Sequence, residues 1–285
     1  MIDDAVTLIK KRLPDFSKGQ KLISGYILDN YEKASYMTAQ KLGETVGLSE
    51  STVVRFAIEL GFEGYPEMQK SLQAYTKTRL TSLQRLEIAG DRLDKCNILQ
   101  SILNRDANQI RATIELCDPK NFEAAVEKIV RAHKIYVFGA MSSNILAGFL
   151  SYYLQLIFDN VILVKSSGAG GIKQQLIRAE SGDLLICVSF PRYCKSAAET
   201  AGFAKAKSAE IIAITDSNAS PLAPLADYLL LAKSDMAGFA DSLAAPLSLI
   251  NALIAAVGIK KRGEIEKVFS ELEEIWDKEN VYDKF

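Results

Sequence analysis

Hydrophobic positions follow two rhythms along the 285 residues. Up to about residue 115, apolar side chains recur at three- and four-residue intervals, the spacing of one face of an α-helix. The runs are Ala5–Arg12, Lys18–Asn30, Thr38–Val46, Glu50–Leu60, Tyr65–Thr81 and Ile98–Leu116, with no strong strand signal among them. Residues 81–97 carry mixed charge and Gly90, and read either as a linker or as part of one long helix. Beyond about residue 120, apolar residues bunch into short continuous runs at 135–138, 161–164, 184–188, 211–214 and 228–231. Such runs, separated by segments able to form helices, are the pattern of parallel strands covered on both faces. Five of them predict a doubly wound α/β domain with a five-stranded parallel sheet. Two helices close the chain: Leu243–Val257, apolar enough to be buried, and Glu264–Lys278, amphipathic. The predicted organisation is therefore multidomain: an all-α domain over 1–80, a helical linker over 81–115 and an α/β domain over 116–285.

Composition changes this picture little. With 48% hydrophobic and 24% charged residues, the chain is ordinary globular protein and not a disordered one. The net charge of -1 excludes a polycation, so any nucleic-acid binding needs a local patch. Residues 1–80 hold 11 Lys/Arg against 10 Asp/Glu, and Arg55, Lys70, Lys77 and Arg79 offer a basic stripe. The cysteines, Cys96, Cys117, Cys187 and Cys194, form no CxxC pair. They predict neither a zinc nor a redox site, and read as reduced thiols of a cytoplasmic protein. The N-terminus is not a secretory signal. The most apolar stretch, 243–259, is broken by Pro246 and Asn251 and falls short of the roughly 20 apolar residues a membrane span needs.

Chemistry enters first at Thr38–Leu60. Ala39, Leu42 and Val46 share one face of a first helix, Gly47 makes a tight connection, and Ser49 is an N-cap for a second helix. In that second helix Val53, Ala57 and Leu60 face inward, while Ser51, Thr52 and Arg55 face the other way. A helix, a short glycine-containing turn and a second helix with exposed hydroxyls and an arginine is a shape that fits the major groove of DNA. The same pattern also occurs in helical domains that bind nothing. The residues Ser49 to Phe56, then Leu60-Gly61-Phe62, then Gly64 to Gln69 settle the weighting, because they resemble the N-terminal domain of the RpiR family of regulators. That resemblance implies binding of double-stranded operator DNA, with Ser49, Ser51, Thr52, Arg55 and Lys70 as the candidate contacts.

The second candidate site lies in the α/β half. The first strand runs into Gly139-Ala-Met-Ser-Ser-Asn144 and the third into Ser189-Phe-Pro-Arg-Tyr-Cys-Lys195, each just before a helix. Ligands of open α/β sheets bind beyond the carboxyl ends of the strands, where strand order reverses, and a helix start suits an anion. Ser142, Ser143 and Ser189 are candidate hydroxyl donors, Arg192 a candidate anion clamp, and Tyr193 and Lys195 secondary candidates. Simple capping accounts equally for the two serines, and a solvated surface for Arg192 and Lys195. Residues 120–260 are similar to a SIS domain, a sugar isomerase fold that binds phosphosugars. Gly139 and Ser143 match its first motif, with Met141 in place of the second glycine. In its second motif only Ser189 stands, with Pro191, Arg192 and Cys194 at the other positions, while Ala204–Thr215 match a third. A subset of RpiR-type proteins carries the same Phe-Pro-Arg-Tyr loop. The resemblance implies a phosphosugar effector, with Arg192 replacing the lost donors or the ligand being a different one. The order of helix-turn-helix and SIS domain is the RpiR arrangement.

No nucleophile, metal site or cofactor loop is expected. The alternative class is a sugar-phosphate isomerase, which needs a proton-transferring base. The single histidine, His133, precedes the first strand at the wrong end of the sheet, leaving Glu180, Glu199 and Tyr193 as candidates. A ligand-free assembly scaffold is a third class. Paired half-sites on DNA need a symmetric partner, so a homodimer or homotetramer is expected, with Leu272, Ile275 and Trp276 as candidate interface residues.

Overall fold

Asp4, Ser17, Thr38 and Ser49 each open a helix by accepting a backbone N–H from its first turn, satisfying donors that the helix itself leaves unpaired. In the computed structural model, which describes residues 4–77, 81–92, 97–165, 168–236 and 239–283, the chain divides into two compact units, essentially residues 1–94 and 95–285.

The first unit is helical: α1 (Ala5–Arg12), α2 (Lys18–Asp29), α3 (Tyr31–Ala34), α4 (Ala39–Val46), α5 (Glu50–Glu59), α6 (Tyr65–Lys77) and α7 (Ser82–Arg92). One core joins Ile9, Ile23, Ile27, Leu42, Val53, Phe56, Met68 and Leu72, all essentially inaccessible to solvent. The Phe16 ring meets Phe56 edge-on at 5.3 Å. Of the inward residues expected of α4 and α5, Ala39, Leu42, Val53, Ala57 and Leu60 are buried and Val46 is half-buried, while Phe56 is buried beside them. The four-residue α3 was not expected, since one turn is too short for a periodicity to show.

The second unit holds α8 (Ile98–Leu116), α9 (Pro119–Arg131), β1 (Ile135–Gly139), α10 (Ser143–Gln155), β2 (Val161–Leu163), α11 (Gly168–Gln175), β3 (Leu184–Val188), α12 (Lys195–Ala206), β4 (Glu210–Thr215), β5 (Tyr228–Leu231), α13 (Ala244–Lys260) and α14 (Arg262–Glu279). The sheet is wholly parallel in the order β2-β1-β3-β4-β5, with separate apolar cores on its two faces. Every residue of β1 and β3 is buried, which explains their continuous apolar runs. The β5 edge is covered by side chains: Asn121 Nδ2 donates to Leu229 O, Cys117 Sγ to Leu231 O, and Lys233 N donates to Thr113 Oγ1. Polar cover of this kind removes an edge open to foreign strands. No single helix among the described residues is long and apolar enough to cross a membrane.

Burial pushes the Cys187 thiol up to about 12, and raises the Tyr65 hydroxyl above the usual tyrosine range. The unfolded chain releases these protons near pH 9 and pH 10, while the folded chain keeps them. The folded state therefore binds more protons above those values, and stability is full below them and falls as pH rises, by about 1.4 kcal/mol per pH unit per group. Urea unfolding of Cys187→Ala is expected to show no decline from the thiol between pH 9 and 10. A decline there equal to wild type would assign the loss to another group.

Candidate functional sites

The reading face of the first unit is built by the turn between α4 and α5. Gly47 takes φ 73° as the C-cap of α4, a left-handed conformation that glycine adopts without strain. Gly43, unremarked in the sequence, also matters: a Cβ there would stand 2.7 Å from Leu48 O, so only glycine lets the turn fold this closely onto α4. Ser49 caps α5 by accepting from Thr52 N at 3.3 Å, and its hydroxyl lies 2.9 Å from Ser51 Oγ and 2.8 Å from Thr52 Oγ1. Arg55 folds back along the helix, Nε donating to Ser51 O at 3.3 Å. Four of the expected contacts thus form one cluster over the first turn and a half of α5, with Ser49, Ser51 and Arg55 exposed. Lys70 stands exposed on α6, joined to this cluster by no hydrogen bond or ion pair. The side chains of Lys77 and Arg79 lie outside the described residues. Ile58, 51% exposed, extends the same outward face one turn beyond Arg55.

In the second unit, β1 has β2 on one side and β3 on the other. The connections leave in opposite directions there, which is the switch point where a ligand crevice forms. Gly139 is paired with Val188, so the loops beginning at Ala140 and Ser189 emerge side by side, as the sequence requires for one site. A Cβ on Gly139 would stand 2.3 Å from Ser143 O and 3.1 Å from Ala147 Cβ; α10 packs directly on the strand end through this missing side chain.

Each candidate ligand residue has a definite setting. Ser142 is exposed and Ser143 buried. Ser142 flanks α10 without a side-chain cap bond, so capping does not account for it. The α10 amides are less free than expected. Ser143, Asn144 and Ile145 N donate to Ala140, Met141 and Ser142 O at 3.1–3.2 Å, because the chain enters α10 through a tight turn. Ser189 is buried and its N–H continues the ladder to Ile214 O. Among the described residues, the hydroxyls of Ser142, Ser143 and Ser189 make no side-chain hydrogen bond. Arg192 and Lys195 are exposed. No side-chain cap closes the start of α12.

Tyr193 differs from its expectation. The sequence shows it no partner, yet its hydroxyl donates to Asp216 Oδ1 at 2.6 Å. Burial first, then the Asp216 carboxylate, pushes its pKa above the usual tyrosine range. It is a neutral donor that fixes the 189–195 loop to the end of β4. Asp216, buried at that strand end, was missed because the pairing depends on β3 and β4 being neighbours. The candidate bases are equally placed by the fold. His133 and Glu180 precede β1 and β3, at the end opposite the crevice, while Glu199 stands on α12, the helix that follows the second loop.

Met141 sits where the family motif carries glycine, at φ 54° and 82% exposed. A left-handed conformation costs a non-glycine residue about 1–2 kcal/mol, and little packing is lost on truncation. Met141→Gly is therefore expected to hold or raise the melting temperature. A drop of several degrees would show that the methionine side chain makes a stabilising contact.

Comparison with known proteins agrees with both halves. Residues 4–79 match the helix-turn-helix domain of the rpiR family and residues 128–256 match the SIS domain. A helix-turn-helix transcriptional regulator of Haemophilus influenzae is 30% identical over 219 residues, covering 75% of each chain. The regulator HexR of Pseudomonas aeruginosa is 25% identical over 217 residues, 75% of this chain and 74% of that one. The sugar isomerase domain of an RpiR transcription factor from Sphaerobacter thermophilus superposes with a TM-score of 0.58 at 26% identity, covering 61% of this chain and 96% of that one. The Vibrio vulnificus NanR protein, solved in complex with ManNAc-6P, has the same fold over 99% of this chain and 100% of its own, with a TM-score of 0.58 at 23% identity. The chain belongs to the RpiR family of helix-turn-helix transcriptional regulators, with a C-terminal SIS domain.

Proposed function

We propose that this regulator binds operator DNA through α5 and that a phosphorylated sugar, held beyond β1 and β3 and not turned over, changes that binding. The observation that supports the sensing half is the adjacency of the two loops at the switch point, from which Ser142, Ser143 and Ser189 are assigned to one crevice. Arg192, on the exposed part of the second loop, is assigned to neutralise the phosphate in place of the missing motif hydroxyls. The phosphosugar bound to NanR supports the ligand class. We infer that the chain falls in the RpiR subset that carries this Phe190-Pro191-Arg192-Tyr193 loop.

The placement of His133 and Glu180 away from the crevice favours a sensor over an isomerase, with Glu199 on α12 the remaining carboxylate candidate for a base. A hydrogen-bonded route also leads out of the site. Tyr193 holds Asp216, the neighbouring Thr215 O accepts from Ala232 N at 2.8 Å, and Lys233 N donates to Thr113 Oγ1 on α8 at 2.8 Å. In chain order, α8 is the helix that follows the connection from the DNA-binding unit.

A thermal-shift screen against phosphosugars tests the ligand, since a compound bound to the native state raises stability by mass action. Arg192→Ala is expected to weaken the best ligand by about 1.5–3 kcal/mol, the scale of a charged hydrogen bond. Equal calorimetric affinity in both proteins would remove Arg192 from the site, and isomer formed at a catalytic rate would make the protein an enzyme.

We also infer a homo-oligomer. None of α14 is buried, and Val268, Phe269 and Ile275 are exposed on it, an apolar surface that a second copy would cover. Light scattering at a monomer mass of 31.3 kDa across working concentrations would contradict this.

A further inference from the structure

The helical unit has a nearly balanced charge, but the balance is uneven in space. Five of its eleven basic residues up to position 80, Lys10, Lys11, Arg12, Lys18 and Lys21, fall within twelve positions that contain one acid, Asp15. All five are exposed. Lys10, Lys11 and Arg12 form the last turn of α1, and Lys18 and Lys21 stand three residues apart on the first turns of α2. The rest of that stretch of chain has more acids than bases, so the basic excess of residues 1–80 comes from these positions.

The corner is fastened to the reading helix. Arg12 Nη1 donates to Glu59 O, the last residue of α5, at 2.6 Å, and Gln20 Nε2 binds the Glu59 carboxylate. Phe16 packs on Phe56, and the Cα of Gly19 faces Leu48 in the turn, where an added Cβ would find the leucine methyls at 3.8–3.9 Å. The patch therefore flanks the C-terminal end of α5, with Asp15 inside it and Glu59 bonded to Arg12 and Gln20 at its border.

We propose that this α1–α2 corner is a phosphate-backbone contact surface that docks on duplex DNA beside the groove read by α5. The inference rests on the DNA-binding reading of α5. Lysine heads and an arginine on a rigid corner supply the sequence-independent part of DNA affinity, which reads as counterion release. In this division of labour the corner supplies charge, and Ser51, Thr52 and Arg55 supply discrimination.

The test is the salt dependence of binding by the full chain, measured by fluorescence anisotropy on the duplex carrying its operator and on a random duplex of equal length. The quadruple variant Lys10→Gln/Lys11→Gln/Lys18→Gln/Lys21→Gln should shorten the slope of log K against log salt by about 0.9 for each lost contact. Affinity for both duplexes should fall by the same factor, leaving their ratio unchanged. Circular dichroism melting confirms that the variant is folded, and Lys33→Gln, outside the corner, should leave the slope within error. An unchanged slope in the folded quadruple variant, or an equal loss per lysine at Lys33, overturns the proposal while leaving the α5 reading intact. Failure of the wild type to prefer its operator overturns the α5 reading itself. A changed operator-to-random ratio in the quadruple variant would mean that the corner reads bases, also contrary to the proposal.

Discussion

Gly139→Ala is expected to destabilise the SIS unit by about 3 kcal/mol, toward the upper end of what overpacking costs. The added Cβ would lie 2.3 Å from Ser143 O and 2.7 Å from Ser143 C. These are backbone atoms of the α10 entry, so no flexible side chain can move aside. Either α10 lifts from the end of β1 or the strand end shifts away from β3. For a unit of this size about 3 kcal/mol lowers the melting temperature by roughly 6–12 °C. The displacement also moves Ser142 and Ser143, so if they form the proposed site ligand binding should be lost even where the fold survives. Gly148, nine residues further along and within α10, is the internal control. A Cβ there meets nothing within 4 Å, and Gly148→Ala should be neutral or stabilise by up to about 1 kcal/mol. Equal melting temperatures for the two variants would show that the close approach at Gly139 does not constrain the site.

Arg55→Ala should weaken operator binding by about 1–3 kcal/mol, the worth of a specific arginine contact to a base. That corresponds to a loss of roughly 5- to 150-fold, and it should shrink on random duplex, where no base is being read. Arg55 is exposed and, among the described residues, bonds to Ser51 O within its own helix, so truncation leaves no buried group unpaired and the fold is kept. Gel-shift titration on operator and random duplex reads both numbers. Unchanged operator affinity would remove Arg55 from the interface.

Much of the architecture was legible because it depends on local pattern. The runs at 135–138, 184–188 and 228–231 became β1, β3 and β5 within one residue, since strands buried on both faces leave no alternation to confuse. Ser49, Gly47 and the inward face of α5 were readable for the same reason: capping, positive φ and helical periodicity are short-range. What stayed hidden depends on which elements become neighbours. Asp216 is 23 residues from Tyr193, and the two meet only once β3 and β4 are paired. The role of Gly43 requires the turn to fold back onto its own helix. The capture of the first α10 amides by Ala140, Met141 and Ser142 O depends on the tight entry from β1. The basic corner does not show in the charge of the whole domain, where the acids of later helices cancel it.

The central claim, a phosphosugar-responsive DNA-binding regulator, is tested most directly by measuring operator affinity with and without effector. The full-length protein is titrated into labelled operator duplex alone, with the phosphosugar selected by thermal shift, and with the same sugar lacking its phosphate. The account predicts that the phosphorylated compound changes the operator dissociation constant by about 5- to 150-fold, the range of typical allosteric coupling. It predicts that the unphosphorylated sugar leaves the constant unchanged, and that saturating operator alters the phosphosugar affinity by the same factor. An operator affinity indifferent to every phosphosugar that binds the SIS domain would contradict it.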